Sequence, residues 1–368
     1  MKNLLVWLRS MQKNCCQYPV EFVEDIFGES SVLADTLKKV TGSDKPRILL
    51  VADMNVVHHI DGIGTKIGKY INEHNISLAG SPVVLAGSEK IKTDKLQSAL
   101  RVVSAILDTK LGVADCVVAL GGGAILDVVG YAASQVRGGI SVVRVPTTPA
   151  AMMDAAFAEY SAVDSDNVKD ALRVANIPKA VLIDTSFANT VLEGVWRAGI
   201  GEAVRLAAAC DSSLMKKIIK HAEAYRNREP KALEEIVKTT VATRLKKGAT
   251  SLGLWCAMRL ESMSGYKLPH GYAVSIAICI EALYAKEIGM LKEADCNTIT
   301  NTLMVCGALD GLGPSKYLFG KPDSIMLGLD AWRLVTGSEA IEVLTGIGKS
   351  KGAETPDRDA MIRALNMI

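Results

Sequence analysis

Val117-Val118-Ala119-Leu120-Gly121-Gly122-Gly123-Ala124-Ile125-Leu126-Asp127 decides how this chain is read. A short apolar run from Cys116 stops at three consecutive glycines, and a helix-forming run follows with Asp127 in its first turns. Strand, glycine turn, helix is how an α/β protein offers backbone N–H groups to a pyrophosphate. The glycines let the backbone come close, and a helix N-terminus favours negative charge. Gly-Gly-Gly also makes ordinary turns, so the neighbours carry the weight. Val145-Pro146-Thr147-Thr148 follows one helix and one strand later, and Gly201-Glu202 and His270-Gly271 come much further on.

Similar strand-like runs lie on both sides. Arg47 to Ala52 ends at Asp53-Met54-Asn55, Pro82 to Ala86 ends at Gly87-Ser88-Glu89, and Ile140 to Val145 ends at Thr147-Thr148. Between them Gly64 to Glu73, Lys92 to Leu107 and Ala124 to Gln135 have helical patterns. Strands alternating with helices predict a parallel sheet covered on both faces. Ligands of such sheets collect at the carboxyl ends of the strands, where Asp53, Glu89, Gly121 to Gly123 and Thr147-Thr148 all fall. Pro178 to Asp184 is a last short strand. Beyond it the pattern is helical: Trp196 to Ala209, Ser213 to Tyr225, Pro230 to Lys247, Leu254 to Ser264, Ala273 to Ile288 and Glu293 to Cys306. The expectation is a Rossmann-like α/β domain over residues 1–184 and a mostly α-helical domain over 185–368, packed with the site between them.

Composition agrees. The 368 residues suit about two domains at roughly 150 residues each. With 49% hydrophobic and 22% charged residues, the chain reads as a soluble globular protein with a sizeable core. A net charge of +2, from 42 basic and 40 acidic residues, gives no electrostatic case for nucleic acid or an anionic membrane. No apolar run reaches the ~18 residues of a spanning helix. Met1 to Cys16 mixes its apolar residues with Lys2, Arg9 and Lys13, unlike a secretory signal. The eight cysteines are scattered, with no Cys-x-x-Cys pair, which suits free thiols in a reducing cytosol. A cytoplasmic location is the expectation.

Taken in order, the landmarks resemble the dehydroquinate synthase family of sugar-phosphate cyclases. The matching segments are Asp53 to Val56, Gly87 to Lys92, Gly121 to Asp127, Val145 to Thr148, Pro178 to Thr185, Arg197 to Val204 and Pro269 to Val274. The resemblance implies NAD in the first domain, a divalent metal (usually zinc) at the domain interface, and a homodimer. It also implies a chemistry: transient oxidation of a substrate hydroxyl, loss of phosphate, re-reduction and ring closure. Oxidation acidifies the neighbouring C–H, and a metal on the oxygens stabilises the enolate. By the same resemblance Asp53 and Asn55 face the adenosine end of NAD, and Glu89 and Lys92 hold ribose hydroxyls or neighbouring groups. Gly122 and Gly123 take the pyrophosphate, Asp127 lies near the nicotinamide side, and Thr147 and Thr148 continue the cradle. Asp154 lies where nicotinamide meets substrate. Taken singly, each of these residues reads equally as a turn or cap.

The pattern breaks at the metal and phosphate groups. The family's metal ligands are one Glu and two His. Glu202 matches the Glu and His270 the second His, but Leu254 stands at the first His, with Met258 at the His that follows it. Leu binds no metal, and catalytic zinc normally has three protein ligands. Cys256 reads as buried packing and Glu261 as structural. Around the substrate, a family Lys is replaced by Tyr160 and a Lys-Asn pair by Lys169-Asp170. A Lys after the metal Glu is replaced by Arg205, and an Arg before the histidine helix by Lys247; Arg137 is kept. Each charged hydrogen bond lost to a phosphate costs about 1.5–3 kcal/mol.

Three functions follow. One is a divergent NAD-dependent cyclase or lyase acting on a sugar-like small molecule. In it Lys169 and Arg205 orient anionic groups, Glu202 and His270 serve as acid/base groups or residual metal ligands, and Arg137, Tyr160, Asp170 and Lys247 line the substrate. Another is an NAD-dependent polyol or alcohol dehydrogenase of the related metal-dependent family. The third is a catalytically degenerate homologue that binds NAD.

Overall fold

A computed structural model describes residues 18–165, 168–310 and 322–367. The stretch weighed as a signal, Met1 to Cys16, lies outside the described residues. The chain separates into two compact units, with the break between Leu192 and Glu193.

In the first unit, Tyr18–Leu192, the strands are β1 (Val20–Phe22), β2 (Arg47–Asp53), β3 (Ser77–Leu78), β4 (Val83–Leu85), β5 (Cys116–Gly121), β6 (Ser141–Pro146), β7 (Tyr160–Ser165), β8 (Val168–Ala175) and β9 (Ala180–Ile183). All but β7 and β8 form one sheet in the order β1-β9-β6-β5-β2-β3, with β4 also paired to β2, and every pairing is parallel. Parallel strands need long crossovers. The helices supply them: α1 (Val32–Thr41), α2 (Met54–His59), α3 (Ile63–Glu73), α4 (Gln97–Asp108), α5 (Gly123–Ser134) and the short α6 (Pro149–Met153). β5 is central, and all its residues are buried. That is why it reads as an unbroken apolar run.

Register decides what meets at the sheet's edge. Gly121 pairs with Pro146, Leu120 with Ala52, and Asp53 with Leu85. Asp53, Gly87, the glycine turn and Thr147-Thr148 therefore share the carboxyl-end edge. α5 carries the chain away from that edge, and Arg137 follows it in a left-handed turn, φ +52°, before β6 begins. A helix of 12 residues spans about 18 Å, so Arg137 stands at the opposite end of the sheet from the glycine turn.

The antiparallel pair β7–β8 lies off the sheet and was not anticipated. It packs on α5, where a Cβ at Gly130 would run into Ser161 Oγ and come within 2.5 Å of Asn176 Oδ1. Arg144, 1% exposed in β6, donates to the carbonyls of Ala156 (3.2 Å), Ala158 (2.6 Å) and Asn176 (2.9 Å). This buried guanidinium ties down the chain on both sides of β7.

The second unit, Glu193–Ile368, is mostly helical: α7 (Glu193–Ala198), α8 (Ile200–Cys210), α9 (Ser212–Arg226), α10 (Pro230–Lys247), α11 (Leu254–Met263), α12 (His270–Glu287), α13 (Glu293–Val305), α14 (Pro322–Thr336) and α15 (Arg358–Leu365). A small hairpin, β10 (Ile341–Gly346) and β11 (Lys349–Glu354), precedes α15. α8 is buried from Ile200 to Ala209 and α12 from Gly271 to Ala282, as expected of helices apolar on every face. The two pack together. A Cβ at Gly201 would sit 2.6 Å from Ser275 Oγ and 2.9 Å from the Gly271 carbonyl, and one at Gly271 would overlap the Ala198 carbonyl. Only glycine permits this crossing, and it sets Glu202 beside His270. Among the described residues no helix is long and apolar enough to cross a membrane. Six of the cysteines are described, and all six are free.

Candidate active site

The carboxyl-end edge of the first unit is built around Asp53. Its carboxylate accepts from the backbone N–H and the side-chain amide of Asn55, at 2.8 and 3.0 Å, and lies against the backbone of Gly87. Burial pushes its pKa up, and these hydrogen bonds hold the rise back. Gly87 is required by closeness: a Cβ there would overlap the Asp53 carboxylate and come within 2.6 Å of Asn55 Nδ2. Gly122, extended, is the N-cap of α5 and has no side chain to occupy the first-turn N–H groups. Those donors point out of a buried helix of 12 residues, the geometry that holds a pyrophosphate. Thr148 caps α6 by accepting from the Ala151 N–H (3.3 Å), and Asp154 ends that helix. These residues fit a dinucleotide.

Beside α5 lies an ion-pair network. Lys92 Nζ donates to Asp127 and to Asp170, each at 2.8 Å. Lys169 Nζ donates to Glu89 at 2.5 Å and lies 3.9 Å from Asp164. The Asp170 backbone N–H donates to Asp164 at 2.8 Å, with Asp170 itself at φ +53°. Burial pushes the Lys92 pKa down, but Asp127, Asp170, Glu89 and Asp164 outweigh it and hold it well above the ordinary lysine value. Burial pushes Asp170 up, but Lys92, Lys169 and Arg173 outweigh it and hold it well down. Asp127 is raised, chiefly by burial, against the pull of Lys92. Tyr160 is pushed up to about 12, first by burial and then by Asp170.

Arg173 was not anticipated. It donates to Asp170 at 3.2 Å and stacks over the Tyr160 ring at 4.5 Å. Asp170 and Tyr160 therefore share one cation, and the buried carboxylate has a countercharge beside it. Both Asp170 and Arg173 lie within β8, a hairpin strand that the sequence does not announce.

The second unit holds a separate polar centre. Glu202 and Arg205, three residues apart on α8, share a helix face. Glu202 Oε2 accepts from Arg205 Nε at 2.9 Å and Nη2 at 2.7 Å. Arg205 Nη1 donates to the Thr250 carbonyl at 2.5 Å. Thr250 is fixed in turn by Glu342, which accepts from its hydroxyl at 2.7 Å and from the Ser251 N–H at 2.9 Å. Glu202 Oε1 lies 3.1 Å from His270 Nε2, and His270 Nδ1 lies 2.7 Å from Glu261 Oε1. Side-chain exposure is 33% for His270 but 3% for Arg205, 1% for Glu202 and 0% for Glu261, so the imidazole is the member open to solvent. Burial pushes Glu202 up, but Arg205 and then His270 outweigh it and hold it at about 2. His270 is lowered by burial, yet Glu261 and Glu202 outweigh that and hold it well above the ordinary histidine value.

Glu261 is thus the partner that orients His270, a role that its spacing in the sequence does not disclose. Cys256 is fully buried with its thiol pKa pushed well up by burial. Glu281, also missed, accepts from the Gly253 N–H and Trp255 Nε1, both at 2.7 Å, and burial pushes it to about 8. Lys247 is not brought to this centre. Its Nζ donates to the Cys210 carbonyl at 2.5 Å, at the far end of α8.

The donor set does not suit a divalent metal. Leu254 has no lone pair, Arg205 takes up one Glu202 oxygen, and His270 spans two carboxylates. Among the described residues no group of three or more His, Cys, Asp and Glu side chains is placed to hold a metal ion.

A parallel sheet with a glycine cradle at its carboxyl edge, followed by a helical unit built on a Glu–His centre, is the architecture of sugar-phosphate cyclases. The family comparison agrees: residues 82–198 match the 3-dehydroquinate synthase N-terminal family and residues 199–309 the 3-dehydroquinate synthase C-terminal family. The chain belongs to the 3-dehydroquinate synthase family.

A 3-dehydroquinate synthase of Sulfurisphaera tokodaii is 30% identical over 217 residues, 56% of this chain and 62% of the relative. One from Pyrobaculum islandicum is 32% identical over 265 residues, 65% of this chain and 75% of the relative. The match thus spans under two thirds of the Sulfurisphaera protein. Among solved structures, the 2-epi-5-epi-valiolone synthase of Streptomyces hygroscopicus subsp. jinggangensis, with NAD+ and Zn2+ bound, superposes with a TM-score of 0.83 at 23% identity, covering 95% of this chain and 96% of that one. The NADH-dependent butanol dehydrogenase A of Thermotoga maritima shares the fold at a TM-score of 0.67 and 14% identity, covering 96% of this chain and 99% of that one.

Proposed function

We propose that this chain is an NAD-dependent enzyme of the sugar-phosphate cyclase type. It acts on a polyhydroxylated keto-sugar or sugar phosphate and begins by taking a hydride from the carbon that bears a substrate hydroxyl. The observation that carries the reading is the close approach of the Gly87 backbone to the buried Asp53 carboxylate at the carboxyl-end edge, a cradle that a Cβ at Gly87 would fill.

NAD bound there would supply the hydride acceptor. The chain's own groups do the rest. The first-turn N–H groups of α5, with Gly122 and Gly123, hold the pyrophosphate, and Thr147 and Thr148 extend that cradle. Asp53 and Asn55 bind the adenosine end, Glu89 and Lys92 the ribose, and Asp127 and Asp154 border the nicotinamide. Lys169, Asp170 and Tyr160 orient the substrate. His270 exchanges the proton of the substrate hydroxyl, and its contacts with Glu202 and Glu261 fix the ring. Arg137, at the opposite end of the sheet from the glycine turn, and Lys247, bound to the Cys210 carbonyl, are left out of this reading. The 3-dehydroquinate synthase relatives support the reaction class, as do solved structures bound to NAD+, one of them with carbaglucose-6-phosphate.

Calorimetry with NAD+, followed by incubation with a panel of keto-sugar phosphates, tests the reading. A cyclase consumes substrate with no net NADH. Stoichiometric NADH would instead mark a dehydrogenase, as the shared fold with butanol dehydrogenase allows. No NAD+ binding would sink both and leave a degenerate homologue. A cytoplasmic homodimer is the expected form, and light scattering of the pure protein checks the assembly.

A further inference from the structure

The second unit keeps two of the family's three metal-ligand positions, Glu202 and His270, yet closes them with a guanidinium. We propose that Arg205 has taken over the charge of the divalent cation, so that the Glu202–His270 centre is complete and works without a metal. Three observations carry this. Arg205 grips one oxygen of Glu202 through both Nε and Nη2, at 2.9 and 2.7 Å, and spends Nη1 on the Thr250 carbonyl. A buried carboxylate needs a partner cation, and here the cation is covalently part of the chain. Thr250 is locked by Glu342, so the guanidinium is held at both ends. Leu254, at the remaining ligand position, is apolar and opens α11 beside Gly253, whose N–H is committed to Glu281.

Arg205 is therefore a positioning residue. Through Glu202 it aims His270, the one exposed member of the centre. The orienting carboxylate of a metal-bound histidine remains as Glu261, but the ring it aims meets Glu202 instead of an ion. The inference rests on the centre alone and holds whatever the substrate.

The test is metal uptake by the full-length protein. Each variant is saturated with Co2+, desalted, and read by visible absorption and elemental analysis. The wild type should retain far less than one cobalt per chain and show no ligand-field bands, with its melting temperature unmoved by a chelator. Leu254→His alone should behave the same, because the guanidinium still holds Glu202. Leu254→His with Arg205→Lys should take up one cobalt with the intense bands of a tetrahedral ion. Stoichiometric cobalt in the wild type would overturn the proposal. So would equal uptake by Leu254→His with and without Arg205→Lys, or none in the double variant, since either would show that the guanidinium is not what stands in for the cation. Arg205→Lys on its own keeps the charge and serves as the folding control.

Discussion

The two polar regions of this chain are built on opposite principles. At the glycine edge of the first unit, side chains are withheld: Gly122 leaves the first turn of α5 uncapped by a side chain and Gly87 leaves space, both for something outside the chain. At the helix crossing of the second unit, buried groups are answered from within, Glu202 by Arg205, Arg205 by Thr250, His270 by two carboxylates. An edge that lacks its own partners depends on a ligand. A centre that supplies them depends on its own integrity. Damage to the first should appear as lost binding at nearly full stability, and damage to the second as lost stability.

The largest effect should come from Arg205→Met, which strands the buried Glu202 carboxylate. Breaking one side of a buried ion pair costs about 3–5 kcal/mol, and urea unfolding should report a loss of that size, with part recovered in Arg205→Lys. A loss below about 1 kcal/mol, the level of an exposed pair, would break the contrast. Next comes pH, with an effect of similar size. Glu281 titrates near 4.5 when unfolded and about 8 when folded. Its folded form prefers the proton, so its contribution is intact below 4.5 and is lost as pH rises to 8. Stability should fall over that window by on the order of 5 kcal/mol from this group. Because Trp255 Nε1 donates to Glu281, tryptophan emission should shift with a midpoint near 8, and Trp255→Phe should erase the shift. An emission flat from pH 6 to 9 would count against it.

On the open edge, Gly87→Ala forces a Cβ into Asp53. The Asp53 carboxylate must turn away to make room, which predicts NAD+ binding roughly 5- to 150-fold weaker by calorimetry, with a proportionally smaller fall in melting temperature. Equal losses in both would erase the distinction between the two regions. The smallest effect belongs to Arg173→Gln, which keeps a hydrogen-bonding group and removes one cation from Asp170 while Lys92 remains at 2.8 Å. Urea unfolding should show stability lower by about 1 kcal/mol.

Most of the fold was legible because its strands are buried on both faces. β2, β5 and β6 are continuous apolar runs that end in glycine, aspartate or threonine, and the helices between them are amphipathic. The hairpin β7–β8 was not legible, because Lys169, Asp170 and Arg173 interrupt its second strand and its first is the short run Tyr160 to Ser165. The chain from Trp196 to Ala209 read as one helix, yet it breaks at Gly199 into two. Site residues were legible as types and not as contacts. The spacing of Glu202 and Arg205 allows a pair on one helix face, but nothing local shows that the guanidinium turns inward to Thr250. The bond between Glu261 and His270 joins two helices across a turn, and only the folded packing creates it. Arg137 and Lys247 are legible in the sequence as cations, but only the fold shows that one follows α5 at the end of the sheet away from the glycine turn and that the other donates to the Cys210 carbonyl.

The glycine crossing of α8 and α12 has a mechanical consequence. Backbone stops against backbone at Gly201 and Gly271, so the separation of Glu202 and His270 is set by the frame, not by their attraction for each other. Any side chain placed at either glycine acts as a wedge that moves carboxylate and imidazole apart together. The groups around the pair can be exchanged while the gauge between the two stays the same.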